Sequence, residues 1–251
     1  MNISILVLIW AGLSLFLIGF WIWSNWILYK QKSGWKVFAE KRRLRYRGGK
    51  VFDSPELSGQ YQDFEVLVFT AEHDAEDERT GRRLTSVEVS LHSSLPISMA
   101  IASGGMVDLV EGLHFQAEYR PDFSGWDSSY IARSRDSAVM KAYLNDKRVQ
   151  ALIKLMKIKN AWIIVFFTGE RGLLRIDLPD PLNDPKHLDR LLKTLIEAAK
   201  VLELEKGETA RLKAHVGKET ERGGEGLPPS VIETPETVFD EPVGLTLEDD
   251  D

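Results

Sequence analysis

The sequence predicts an α+β protein in four segments: a transmembrane anchor (1–30), a basic juxtamembrane helix (31–49), a mainly antiparallel sheet domain with a long closing C-terminal helix (50–205), and a disordered acidic tail (206–251). Three observations predict this order. Residues 3–29 contain no Asp, Glu, Lys, Arg or His. Several segments between residues 61 and 178 alternate apolar and polar side chains, which is typical of half-buried strands. Leucines recur at helical spacing in 185–204, before a polar, Pro- and Gly-punctuated end.

The apolar run at the N-terminus is long enough to cross a bilayer. As a helix, residues 3–29 would be about 40 Å long, which exceeds the ~30 Å hydrocarbon core. Only two residues precede the run and bulky residues end it, so it lacks the basic start and small-residue cleavage site of a secretory signal. We therefore expect an uncleaved single span.

The charges that flank the run predict its orientation. Residues 30–50 contain nine Lys or Arg and one acid, Glu40. Such an excess marks the cytoplasmic side of a span, so we predict a cell-membrane protein with its N-terminus outside and its C-terminal domain cytoplasmic. Aromatic residues crowd the same end of the run, where they predict an interfacial belt. This belt comprises Trp21, Trp23, Trp26 and Tyr29.

The basic segment after the span predicts a short amphipathic helix over 34–46, with Gly48 and Gly49 as a stop and hinge. Its cations either bind anionic headgroups or serve only to set the topology, and the pattern alone leaves both readings open. The predicted membrane-surface residues are Lys30, Lys32, Lys36, Lys41, Arg42, Arg43, Arg45 and Arg47.

Two strands, 61–70 and 84–91, are predicted from strict alternation, with the charged segment 72–83 as an exposed connection. The acids of this connection suggest a calcium loop, but Arg79 and Thr85 stand where an EF-hand loop needs Gly and Glu. The sequence therefore predicts no metal site and no cofactor.

The rest of the domain mixes strands and helices. We predict strands over 96–102, 114–119, 161–167 and 173–178, and helices over 106–111, 138–144, 147–158 and 185–204. The almost unbroken apolar run 161–167 is the candidate central strand. Asp184 and Pro185 mark the start of the closing helix.

The segment 121–136 is predicted to be a loop rich in Ser, Gly and Asp. Aromatic residues beside arginines in a loop can form a partner-binding surface, or they can close the end of a sheet core. The candidate partner-binding residues are Phe123, Trp126, Tyr130, Arg133 and Arg135.

The tail is strongly acidic, with eleven acids against Arg222 between residues 219 and 251. Short apolar clusters within it, at 231–232, 238–239 and 243–245, are candidate docking motifs. Because the chain carries opposite charge at its two ends, a further hypothesis is that the tail competes with anionic lipid for residues 41–47.

The apolar span, the W-x-x-F-A basic exit (Trp35, Phe38, Ala39) and the sheet with its Leu-rich closing helix resemble uncharacterised bacterial single-pass membrane-anchored families of unknown function. The resemblance covers the architecture of residues 1–205 and implies no catalytic residues. The order of elements is also similar to that of pleckstrin-homology-like and helix-grip domains, which is an analogy of fold.

Composition and motifs reduce the number of functional classes that fit this chain. The chain has no cysteine, which excludes disulfides, Cys-ligated zinc and thiol catalysis, and its basic residues concentrate beside the span, which disfavours nucleic-acid binding. No acid–base pair or nucleophile–base arrangement is recognisable. The sequence thus predicts a non-enzymatic, membrane-anchored adaptor or scaffold that contacts the bilayer and unidentified protein partners. The alternatives are a lipid-binding or lipid-transfer domain and an unrecognised enzyme.

Overall fold

The computed structural model describes residues 3–50, 53–75, 78–113 and 115–216. Its helices are α1 (Ile3–Arg42), α2 (Met106–Gly112), α3 (Ser137–Tyr143), α4 (Asp146–Met156), α5 (Pro185–Leu202) and α6 (Glu208–Lys213). Its strands are β1 (Arg45–Arg47), β2 (Glu56–Tyr61), β3 (Phe64–Ala75), β4 (Glu78–Leu91), β5 (Met99–Ser103), β6 (Ala117–Glu118), β7 (Ile131–Ser134), β8 (Trp162–Phe167) and β9 (Gly172–Leu178).

These strands form one nine-stranded sheet in the order β1-β2-β3-β4-β9-β8-β5-β7-β6, and every pair of neighbours is antiparallel. The predicted α+β class, with its N-terminal apolar helix and antiparallel sheet, is confirmed. β9 occupies the middle of the sheet and β8 lies beside it. The run 161–167 is apolar almost throughout because β8 is buried on both faces, with Val165 under the closing helices and Ile164 under α2.

The main core lies between one face of the sheet, here called the core face, and the helices α1, α4 and α5. Val87, Val165 and Ile176 point into it from the strands, and every other residue along each strand shares this face. The stripe of α5, which includes Leu188 and Leu195, covers them. As predicted, the Asp184 side chain caps α5, since it accepts a hydrogen bond from the backbone N–H of Lys186 at 2.9 Å.

The opposite face, here called the outer face, carries a smaller apolar cluster under α2. Ala100 and Ala102 of β5 contact Met106 and Val110 of α2, and their small side chains allow the helix to lie close to the sheet. The helix predicted over 106–111 is thus present.

The exit from the span differs from the prediction of a separate helix over 34–46. α1 continues without a break to Arg42, and residues 45–47 form β1 instead. The helix stops early because Arg43 adopts the left-handed conformation (φ 57°) and the Leu44 N–H donates to the Ala39 carbonyl, which is a Schellman C-cap. Burial of Leu44 accompanies this turn, and the helix ends at Arg42, six residues before Gly48.

The β3–β4 hairpin is longer than predicted. Both strands continue into the segment 72–83, and β4 pairs with β9 only from Thr85 onward. The charged residues predict a loop here, but the backbone pairing of β3 with β4 extends through this segment as far as Ala75 and Glu78. The overhang projects from the edge of the sheet where β9 ends and the chain turns into α5.

Two further segments differ from their predictions. Residues 131–134, within the predicted loop 121–136, form β7 and pair with β5. The chain after residue 205 also contains α6, whose Leu212 is buried in the main core. Residues 217–251, which include the candidate docking clusters, lie outside the described residues.

Candidate functional site

The junction between the apolar helix and the domain is the first candidate site. Trp35, Phe38 and Ala39 are each at most 1% exposed and belong to the main core. The Trp35 indole Nε1 donates to the Leu182 carbonyl at 3.1 Å, so its only polar group is satisfied. The W-x-x-F-A residues therefore join the apolar helix directly to the domain.

Gly34 allows α1 to approach the chain before α5. A Cβ placed on Gly34 would lie 2.0 Å from the backbone oxygen of Asn183, which leaves no space for a side chain. Close packing of a helix against backbone is a common reason for a glycine within a helix.

We expect Gly34→Leu to push α1 away from residue 183 and to lower the temperature of thermal unfolding by several degrees. Thermal unfolding of the detergent-solubilised chain measures this change. Gly19→Leu is the matched control, because a Cβ at Gly19 meets no atom within 4 Å. Equal melting temperatures for the two variants would contradict the packing role of Gly34.

An ionic contact holds the end of α1 to α5. Asp189 accepts hydrogen bonds from Arg42 at 2.5 Å and from the Tyr61 hydroxyl at 3.0 Å, and it lies 3.0 Å from Lys193 Nζ. Partial burial opposes ionisation of Asp189, but the hydrogen bonds from Lys193, Arg42 and Tyr61 outweigh that effect and lower its pKa. The ionised carboxylate is therefore the form that the junction stabilises.

This shift predicts a pH dependence. Because the folded pKa of Asp189 is depressed, its contribution to stability is present above the unfolded pKa and is lost as pH falls through the folded pKa. We expect Asp189→Asn to be less stable than the parent chain at pH 7 and to lose less stability on acidification. Urea unfolding at neutral and acidic pH tests this expectation, and parallel pH profiles for the two chains would count against it.

The predicted membrane-surface cations separate into two groups along α1. Lys30 lies over the Trp26 ring at 3.8 Å, and Lys32 Nζ donates to the Lys50 carbonyl at 2.5 Å. Arg42 lies about 18 Å farther along the helix than Lys30, more than twice the Debye length of about 8 Å in physiological salt. Lys30 and Lys32 lie nearest to the apolar run, and headgroup binding by these cations stays a prediction. Of the others, Arg42 binds Asp189, Arg47 lies 3.9 Å from Glu56, and Lys36, Lys41, Arg43 and Arg45 are mainly solvent-exposed.

The four aromatic residues of the predicted belt lie on α1 before the junction and are 48–71% exposed. The centroids of Trp23 and Trp26 are 5.9 Å apart. α1 has the length and apolar composition of a membrane-spanning helix, and none of its most apolar window is buried in the protein. These features fit a membrane-anchored protein, while the interfacial role of the aromatic residues stays a prediction.

A polar cluster on the outer face of the sheet is the second candidate site, and sequence analysis missed it. The side chain of Asp177 is 0% exposed and lies 2.5 Å from His73 Nε2. Arg175 donates to both oxygens of Asp177, at 2.8 and 2.9 Å, and also to Glu88 and Ser86, each at 3.3 Å. Burial raises the pKa of Glu88, although the neighbouring Arg175 guanidinium counteracts this effect.

An imidazole that contacts a buried carboxylate can take part in proton transfer. In this cluster, however, the polar side chains mostly hydrogen-bond to one another. Both oxygens of Asp177 accept hydrogen bonds from Arg175, and the Ser86 hydroxyl accepts one from the same guanidinium. The contacts join β3, β4 and β9 at the base of the overhanging hairpin. Alternation along β9 predicts that Arg175 and Asp177 share one face. The position of His73 beside them was not predictable, because it depends on the extension of the hairpin beyond the predicted strands.

The candidate partner-binding loop is mostly packed. Phe123, Trp126 and Tyr130 are half-buried and contact the main core. Arg133 lies on β7, with Glu118 at 3.3 Å and Glu111 at 3.4 Å, while Arg135 is exposed. Partner binding by this loop stays a prediction, and Arg135 is its most accessible cation.

Two open surface grooves lie in the described part of the chain. One, of about 480 Å³, lies between α1 and the start of α5, where Tyr29, Lys30 and Ser33 face residues 183–185. The other borders the start of α4. Within the described residues, no group of three or more His, Asp or Glu side chains is arranged to hold a metal ion.

No protein-family model and no curated protein sequence matches this chain. A solved structure with some likeness is the crystal structure of the mycobacterial trehalose monomycolate transport factor A, TtfA, with 12% sequence identity and a TM-score of 0.41. The match covers 68% of this chain and 94% of that one.

The fold and the junction define the class of this protein. It is an α+β sheet domain that is joined without a break to an N-terminal helix long and apolar enough to span a membrane. The particular features of this chain are the long β3–β4 hairpin and the polar cluster at its base.

Proposed function

We propose that this protein is a non-enzymatic, single-pass membrane adaptor, which holds its domain at the cytoplasmic surface of the cell membrane and presents that domain to protein partners. The observation that carries the proposal is the continuity of α1 from its apolar segment to Phe38 and Ala39 in the core. A helix buried in the domain fixes the domain's distance from the bilayer, whereas a flexible linker would not.

The packing of the domain favours an adaptor over a lipid carrier. A carrier needs an apolar cavity of several hundred Å³ that encloses much of its ligand. Instead, the space between sheet and α5 is filled by side chains such as Leu192, Leu195 and Phe167, each with no exposed surface. The paired charges around Asp177 likewise support structure more directly than chemistry.

The outer face over β3, β4 and β9 is the surface that we assign to a partner. Leu67, Phe69 and Leu173 are half-buried there, and α2 packs against the neighbouring β5 and β8. Arg175 lies 5.3 Å from the Phe69 ring centroid, so apolar and charged groups are interleaved. Mixed surfaces of this kind are typical of non-obligate protein interfaces.

Site-specific photocrosslinking in intact membranes tests this assignment and separates it from lipid binding. A photoreactive residue at Leu67 or Leu173 is expected to yield protein adducts of discrete mass, and Leu67→Arg should remove the adduct formed at position 173. The exposed turn residue Glu170 is the matched control position. Adducts with lipid alone, or the same protein adducts from position 170, would refute the partner surface.

The orientation of the chain is a separate prediction. We expect alkaline phosphatase fused after Asp251 to be inactive in a bacterial host, because nine cations to one acid between residues 30 and 50 retain the domain in the cytoplasm. A cytoplasm-dependent fluorescent reporter at the same position is the positive control. Phosphatase activity without fluorescence would place the domain outside.

Lipid binding is the second candidate, and one feature favours it. The groove between α1 and residues 183–185 lies where the apolar run ends, at the level expected for headgroups. A photoreactive residue at Ser33, which lines this groove, should form lipid adducts if this candidate is correct.

A further inference from the structure

The helices that cover the core face present a basic surface to solvent. The exposed residues of α5 recur at spacings of three and four and form one stripe, and those of α4 form a second stripe beside it. The α5 stripe is Lys186, Arg190, Lys193, Glu197 and Lys200. The α4 stripe is Lys147, Gln150 and Lys154, together with Lys157, the C-cap residue of α4. These two stripes are named the basic helix face.

The charges of this face are unbalanced. It holds seven cations and one acid, Glu197, with Asp146 at its margin. Among the described residues, Lys193 pairs with Asp189 and Lys154 lies 4.0 Å from Glu197, and no other cation of the face makes an ion pair. Ordinary solvated helix faces mix both signs, so this excess favours an anionic occupant.

The direction of the face disfavours the bilayer as that occupant. α1 and α5 run alongside each other in the same direction, since Gly34 contacts Asn183 and Arg42 contacts Asp189. The α5 stripe therefore leads away from the membrane, and only its Lys186 end lies near the headgroups. An extended chain can follow the whole stripe, whereas a flat anionic surface can touch only that end.

The C-terminal tail begins at the far end of the same face. α6 contacts α3, and Glu208 of α6 binds Arg148 at the start of α4 through two hydrogen bonds, at 2.6 and 2.7 Å. α6, which precedes the tail, therefore lies at the end of the domain where α4 begins. α5 lies between α4 and α1, so the tail reaches the basic helix face before it reaches the cations of α1.

From this arrangement we propose that the acidic tail, residues 219–251, docks along the basic helix face of its own chain. The tail carries a net charge of −10, opposite in sign to the face. α5 is about 27 Å long, and roughly nine extended residues cover that distance, so the tail is long enough. Covalent attachment adds an effective concentration in the millimolar range, which a separate acidic partner would have to match.

Docking on α4 and α5 is an alternative to the hypothesis that the tail competes with anionic lipid for residues 41–47. It covers a surface distinct from the outer face assigned to a partner. The inference does not depend on the proposed adaptor function.

Distance measurement between spin labels tests the docking, and the absence of cysteine permits labels at chosen sites only. In the full chain in detergent, Gln150→Cys reports the face and Thr237→Cys reports the tail. We expect a narrow, short distance distribution at low salt. It should lose at least half of its amplitude in about 0.5 M salt, where the Debye length is near 4 Å.

Charge-reversal pairs supply the matched comparison. Arg190→Glu with Lys157→Glu should broaden the distribution at least twofold, whereas Arg135→Glu with Arg171→Glu makes the same change in net charge away from the face and should leave it narrow. All four are exposed residues for which the described structure shows no ion pair. A broad distribution in the parent chain, or equal broadening by both pairs, would overturn the proposal.

Discussion

Replacement of Arg148 by alanine is expected to destabilise the domain by about 3–5 kcal/mol, because it leaves a buried charge and several buried acceptors without a donor. The Arg148 side chain is 2% exposed. Its guanidinium donates to both oxygens of Glu208 and to the carbonyls of Tyr143, Val201 and Glu203. A loss of this size is comparable with the whole stability of many domains, about 5–15 kcal/mol.

Urea unfolding of the detergent-solubilised chain measures the effect. Arg190→Ala is the matched control, since Arg190 is an exposed arginine on a neighbouring helix and its removal should change the free energy of unfolding by less than about 0.5 kcal/mol. The double variant Arg148→Met with Glu208→Leu should recover part of the loss, because it removes both charges but leaves the three carbonyls without a donor. Equal effects of Arg148→Ala and Arg190→Ala would exclude a structural role for the buried pair.

The second large effect concerns the ends of the domain. A fragment of residues 50–206, cut at the boundaries that the sequence suggests, is expected not to unfold cooperatively, whereas residues 31–216 should. The shorter fragment lacks Trp35 and Phe38, and removal of each such buried aromatic side chain costs about 3–5 kcal/mol. It also lacks Glu208 and so leaves Arg148 unpaired.

Circular dichroism and urea unfolding of the two fragments provide the comparison. An intermediate fragment, 31–206, separates the contributions: it restores the aromatic residues but not α6, and we expect it to be folded but less stable than 31–216. Cooperative unfolding of 50–206 at the same urea concentration as 31–216 would show that α1 and α6 are accessory to the domain.

Some of this architecture follows from local patterns. The apolar run 3–29 has no charged residue, so the bilayer core is its most favourable environment, however the domain folds. Period-two alternation located the strands that contain Val66 and Val89, and helical spacing located α5 together with its Asp184 cap. These signals are local because a helix or strand that buries one face needs apolar residues at the period of that element.

Other features depended on contacts between distant residues. His73 and Asp177 are 104 residues apart in the chain, and Arg148 and Glu208 are 60 apart. Neither pair leaves a local signal, because an isolated charged residue reads as solvent-exposed until its partner is known. The polar cluster and the contribution of α6 to the core were therefore not predictable from composition or period.

The division between local and tertiary information is clearest at Trp35 and Phe38. The sequence by itself determined that these residues lie on a basic helix just after an apolar span, since charge and hydropathy act within a few residues. Only the tertiary structure decided that their side chains lie in the core and that the helix continues to Arg42. That choice depends on Asn183, Leu182 and Asp189, whose contacts with α1 become favourable only when the sheet and α5 have assembled beside it.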